Sequence, residues 1–146
     1  MFSDSHKGAD LARILIADDE EAIRHYLERL IRMMGHETVL ANDGKNALEL
    51  FKTHAIDLSI VDINMPEMGG MEFLHGAKEA DPDAVIIIMT GYPSAETIVE
   101  TIEDDGYTYL AKPIDMVQLQ DLIGTGLATR DKRRKDRSDS SANPNQ

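Results

Sequence analysis

Five short apolar runs, each followed by a turn and a stretch of helical periodicity, govern what this chain can fold into. The runs are RILIA (13–17), ETVLA (37–41), LSIVD (58–62), AVIIIMT (84–90) and YTYLA (107–111). Their length and Ile/Val content fit buried strands, with the run at 84–90 the most apolar and hence central. Ile23, Leu27, Leu30, Ile31 and Met34 then mark an amphipathic helix over 20–34, stopped at Gly35. Ala47, Leu48 and Phe51 mark a second helix after the turn at 42–44, and Phe73, Leu74 and Ala77 a third over 70–80. Ala95, Ile98, Val99 and Ile102 give a fourth over 94–104. The last, over 115–128, places Met116, Leu119, Ile123 and Leu127 on one face, while Gly124 and Gly126 weaken its end. Such alternation predicts an α/β fold in which a parallel sheet carries helices on both faces.

The 146 residues suit one domain. Residues 1–10 are polar and expected to be flexible, 11–128 form the folded body, and 129–146 turn basic and then Ser/Asn/Pro-rich, which predicts a disordered tail or linker stub. The absence of Cys excludes disulfides and thiolate metal sites. No apolar run approaches the roughly 20 residues of a membrane span, and the N-terminus lacks the build of a signal peptide. A soluble, cytoplasmic protein without membrane contact is the expectation. The chain carries a net charge of −12, yet six of its fifteen basic residues lie in RDKRRKDR (130–137). Residues 130–146 therefore carry +3 and residues 1–129 carry −15. A body that acidic does not suit direct nucleic-acid binding, but it attracts cations and basic partner surfaces.

In open α/β sheets ligands bind beyond the carboxyl ends of the strands. There the first strand ends in Asp18-Asp19, the third in Asp62, the fourth in Thr90 and the fifth in Lys112-Pro113. Singly, each has an ordinary role. Asp18 with Glu21 fits a capping-box-like helix start, and Asp19 is equally able to cap. Asp62 suits a turn, Thr90 a strand end, Lys112 a solvated face and Pro113 a strand terminator. Those roles are independent, however, and none asks for a lysine after the fifth strand together with an acid after the third.

Jointly the set has a chemistry. Three neighbouring carboxylates repel and raise one another's pKa unless a cation sits among them. Oxygen-only donors suit Mg²⁺. A carboxylate beside that ion is a competent nucleophile toward phosphorus, and a lysine and a hydroxyl can share the phosphoryl oxygens. Met33, Met34 and Met89 occupy core-like positions, and His6, His25, His36, His54 and His75 lack metal-ligand spacing and are expected at the surface.

ILIADDE, VDINMPEMGG, MTGY and YLAKPI, in that order over residues 13–128, resemble the receiver domain of bacterial two-component response regulators. The resemblance implies a flavodoxin-like sheet of order 2-1-3-4-5, with Asp62 as phosphoacceptor. It implies Asp19 as the direct Mg²⁺ ligand, Asp18 acting largely through water, and the main-chain carbonyl of Asn64 as a further ligand beside Asp62. Lys112 would pair with the phosphoryl group, and the peptide into Pro113 would be cis. Thr90 would move to the phosphoryl oxygens while Tyr109 swings inward, altering the surface of the fourth helix, fifth strand and fifth helix. Asn64 and Tyr92 stand where family members tune phosphoryl lifetime; Tyr92 would either shield the aspartyl phosphate or pack at the rim.

The implied partners are a histidine kinase or histidine phosphotransfer protein, and a downstream target or an output domain outside this chain. A phosphorylation-dependent homodimer is a further expectation of the resemblance. The chain is then a regulator that assists its own phosphorylation and dephosphorylation, not an enzyme acting on a separate substrate. The alternatives are a phosphate-independent interaction module and an aspartyl-phosphate hydrolase. The second is disfavoured by Asn64, which stands where such enzymes carry a second acid. A flavin site would want a phosphate-cradling loop after the first strand, where DDEEA offers four acids.

Overall fold

The computed structural model describes residues 11–92 and 108–142. The five strands are β1 (Arg13–Ala17), β2 (Glu37–Ala41), β3 (Leu58–Asp62), β4 (Ile86–Thr90) and β5 (Thr108–Ala111). They form one parallel sheet in the order β2-β1-β3-β4-β5, as the resemblance implied. Among the described residues there are four helices: α1 (Glu21–Met33), α2 (Gly44–Thr53), α3 (Gly70–Ala80) and α4 (Met116–Ala142). The helix expected over 94–104 and the flexible segment expected over 1–10 lie outside the described residues.

Each strand alternates its side chains between two apolar layers, because successive residues point to opposite faces. Ile14, Ile16, Leu58, Ile60, Ile87 and Met89 pack beneath α1 and α4, where Leu27, Ile31, Leu119 and Ile123 close the layer. Leu15, Val61, Ile86 and Ile88 face the other way, onto Phe51 of α2 and Phe73 and Leu74 of α3. Phe51 and Phe73 meet edge to face at 5.9 Å. Every residue of β3 and β4 is buried, which is why those runs are unbroken rather than alternating. Ser59 is the polar member of the second layer, and its hydroxyl has no hydrogen-bond partner among the described residues.

Three expectations need correction. Ala84 and Val85 are buried but precede β4, which starts at Ile86. Met33 is 76% exposed and Met116 is 45% exposed; each stands at a helix end, where the periodic face has already rotated out of the core. The largest difference is α4, which continues to Ala142, well into the segment expected to be disordered. The cause is a stripe of arginines at helical spacing. Arg130 Nη1 bonds Asp81 at 2.7 Å, Arg133 Nη1 donates to the carbonyl of Ala84 at 2.8 Å, and Arg137 Nε donates to both carboxylate oxygens of Asp83 at 2.9 and 3.0 Å. Arg134 reaches Asp57 at 3.4 Å. Four successive inward positions thus clasp the loops that lead into β3 and β4, at the edge opposite the strand carboxyl ends.

Candidate metal and phosphoryl site

The carboxyl ends of β1, β3, β4 and β5 converge because the strands run parallel and in register, with Ala17 opposite Val61, Asp62 opposite Met89 and Thr90 opposite Ala111. Asp18 and Asp62 are buried and Asp19 is exposed. One carboxylate oxygen from each can lie within 4.8 Å of the others.

Lys112 bridges the two buried acids. Its Nζ lies 3.0 Å from Asp18 Oδ2 and 3.0 Å from Asp62 Oδ1, and 3.7 Å from the exposed Glu20 carboxylate. Burial pushes the Asp62 carboxyl above its ordinary value of 3.8; the Lys112 hydrogen bond pulls it down, and the charges of Asp18 and Asp19 add to the rise. Burial also works against the charge on Lys112, but hydrogen bonds to Asp62 and Asp18 outweigh it and leave the ammonium above its ordinary value. The proton therefore stays on Lys112, and a charged lysine faces the acids.

Asp18 is saturated by the protein. Its N–H donates to Ala41 at 3.2 Å, its Oδ1 accepts from the N–H of Glu20 at 2.8 Å, and its main-chain oxygen accepts from Arg24 Nη1 at 2.8 Å. The capping-box alternative is not formed, since Glu20 is the N-cap of α1 and makes no side-chain cap bond. Asp19 is the acid left open to solvent. The oxygen-only donors and their mutual distances fit a small hard cation, with Asp19 the accessible ligand and Asp18 held back by the bonds it already makes.

The β3–α3 loop is shaped by close backbone approach. A Cβ on Gly70 would come within 2.6 Å of the Asp62 carbonyl oxygen, and one on Gly44 within 1.8 Å of the Met68 oxygen. Both positions therefore require glycine, and α3 and the start of α2 pin the loop that follows Asp62. Asn64 is exposed in an open cleft it shares with Asp19, Met65 and Pro66. The Lys112–Pro113 peptide is cis. Thr90 is buried, and its hydroxyl oxygen accepts from the N–H of Tyr92 at 3.1 Å. Tyr109 is half-buried on β5 opposite Ile88. Tyr92 is 93% exposed.

Reasoning from sequence missed two contacts, Glu20 beside Lys112 and Arg24 on the Asp18 carbonyl. Arg24 carries no local signal beyond a lone basic residue one turn into an acidic helix start.

Residues 14–124 match the family described as the response regulator receiver domain. The chain is 38% identical over 115 residues to the transcriptional regulatory protein ZraR of Klebsiella oxytoca, covering 79% of this chain and 26% of that protein. The chain thus spans about a quarter of the length of the curated relatives it first matches. It is 34% identical over 111 residues to sporulation initiation phosphotransferase F of Bacillus subtilis, covering 76% of this chain and 90% of that one. A CheY-like response regulator receiver domain protein from Methanospirillum hungatei superposes with a TM-score of 0.80 at 30% identity, over 85% of this chain and 99% of that one. With its sheet order, its gathered acids and lysine, and these likenesses, the chain belongs to the response regulator receiver domain family.

Proposed function

We propose that the chain is a phosphorylation-activated switch in which Asp62 accepts a phosphoryl group from a histidine kinase or histidine phosphotransfer protein. The observation that carries this reading is Lys112, held 3.0 Å from both Asp18 and Asp62 beside an open third acid. Asp19, Asp62 and the main-chain carbonyl of Asn64 would hold Mg²⁺, with Asp18 acting through water; bound there, the ion supplies charge neutralisation for the phosphoryl oxygens.

The residues of the chain do the rest. An Asp62 carboxylate oxygen attacks phosphorus as the phosphorus–nitrogen bond of the donor histidine breaks, and the bonding pair returns to the imidazole. Lys112 follows the charge from the carboxylate to the phosphoryl group. The Thr90 hydroxyl exchanges its Tyr92 contact for donation to a phosphoryl oxygen, and Tyr109 turns into the space released. That movement alters the surface of β5 and α4, which a target or an output domain reads. A relative named as a transcriptional regulator and one named as a phosphotransferase support two settings, a longer regulator and a relay step. The family is regulatory, and the groups gathered here act on Asp62 itself rather than on a separate substrate.

Intact-protein mass after incubation with acetyl phosphate tests the reading. The expected result is a Mg²⁺-dependent gain of one phosphoryl group that Asp62→Asn lacks. No gain from acetyl phosphate or from a phosphorylated histidine donor, with Mg²⁺ bound, would leave a phosphate-independent interaction module. Lys112→Ala is expected to bind Mg²⁺ at least as tightly as the parent, because a competing cation is gone, yet to show no phosphorylation-induced change in the amide spectrum of β5 and α4.

A further inference from the structure

The β1–α1 turn holds Asp18 through bonds that come mostly from outside it. Asp18 is fixed at four atoms, and three of the four partners are backbone groups or the lysine already assigned. The fourth is Arg24, one turn into α1, whose Nη1 donates to the Asp18 main-chain oxygen at 2.8 Å. Arg24 is half-buried. The Asp18 carbonyl belongs to the peptide that joins Asp18 to Asp19. Anchoring it restrains the rotation that would carry the exposed Asp19 side chain away from Asp62.

We propose that Arg24 is a positioning residue for the metal-binding acids, holding the Asp18–Asp19 peptide so that both carboxylates meet Asp62. The inference rests on the Mg²⁺ site proposed above and adds a residue that touches neither the ion nor the phosphoryl group. It makes a prediction of unusual sign. Removing a positive charge close to a cation site should, by Coulomb attraction and repulsion alone, tighten cation binding. Loss of a positioning bond should weaken it, as loss of outer-shell partners does at metal centres, by about tenfold or more.

Calorimetric titration of the full chain with Mg²⁺ separates the two. Arg24→Met keeps the apolar stem and removes the donor; its dissociation constant is expected to rise about tenfold. Arg24→Lys can still donate to the same carbonyl and is expected to fall between the parent and the Met variant. Thermal denaturation without Mg²⁺ provides a control for a merely structural role, which would lower the melting temperature and leave the dissociation constant unmoved. A Met variant that binds Mg²⁺ as tightly as the parent or more tightly would overturn the inference, as would a Lys variant as weak as the Met one. If the parent itself fails to bind Mg²⁺, the metal site falls and this inference with it, an outcome distinct from either of those.

Discussion

At the scale of single residues, the site holds groups that the fold would be more stable without. Asp62 sits above its ordinary pKa because burial and the neighbouring acids disfavour its charge. The folded chain therefore binds that proton more tightly than the unfolded one. Stability from this group falls as pH rises from 3.8 through the raised folded value, and the cost is fully present above that value. Asp62→Asn removes it. The melting temperature of the variant should exceed that of the parent above the raised folded value, and the gap should close below the ordinary carboxylate range. Ser59, in the core rather than the site, is another such residue, with a buried hydroxyl facing an apolar layer and no partner among the described residues. Ser59→Ala should stabilise the fold by about 1 kcal/mol in urea denaturation, since an unmade hydrogen bond is removed together with its desolvation.

At the scale of elements, α4 is held by different forces along its length. Its first half is an apolar stripe, with Leu119 and Ile123 buried, and its second half is an arginine stripe against Asp57, Asp81 and Asp83. Arg130 is the inner anchor; its side chain is 7% exposed, whereas those of Arg134 and Arg137 are about half exposed and screened by solvent. Arg130→Ala should cost about 2 kcal/mol and lower helicity by circular dichroism, while the outer arginines matter less. Arg137, mainly through its hydrogen bond, holds Asp83 below its ordinary 3.8. The stability that Asp83 contributes is therefore fully present above 3.8 and lost as pH falls through its lowered folded value. Asp83→Asn should flatten that acid limb of the helicity curve.

The same helix marks where the sequence stopped being legible. β1, β2 and β3 fall on their expected bounds because burial writes directly into apolar runs. The site acids and Lys112 were legible because parallel strands bring their following residues to one edge. The second half of α4 has no apolar periodicity to read. Its order depends on three aspartates distant in sequence, and a run of charged and Ser residues reads as a solvated tail until those partners are known. Arg24 was hidden for a different reason, since its partner is a main-chain carbonyl and not a residue type.

At the scale of the molecule, Mg²⁺ held by the acids gathered at one sheet edge would stabilise the fold before any phosphorylation. Mg²⁺ that binds only the folded chain stabilises it by mass action, about 2.7 kcal/mol at a hundredfold excess over the dissociation constant. Thermal denaturation with MgCl₂ against NaCl of equal ionic strength should show a rise of roughly 5–10 °C specific to Mg²⁺. Asp19→Asn should remove most of it, because Asp19 is the open acid of the cluster.

The clasped half of α4 also acts as a counter-ion that the chain carries with it. Residues 130–146 bring +3 to a body of −15, and three of their arginines are spent on aspartates of that body. A chain cut at residue 128 would lose that cover, leaving Asp57, Asp81 and Asp83 as an acidic patch at the edge opposite the phosphoryl site. Such a truncated chain should bind anion-exchange resin and polycations more tightly than the full one. Basic partners it captured would be reading a face that the intact molecule keeps neutralised.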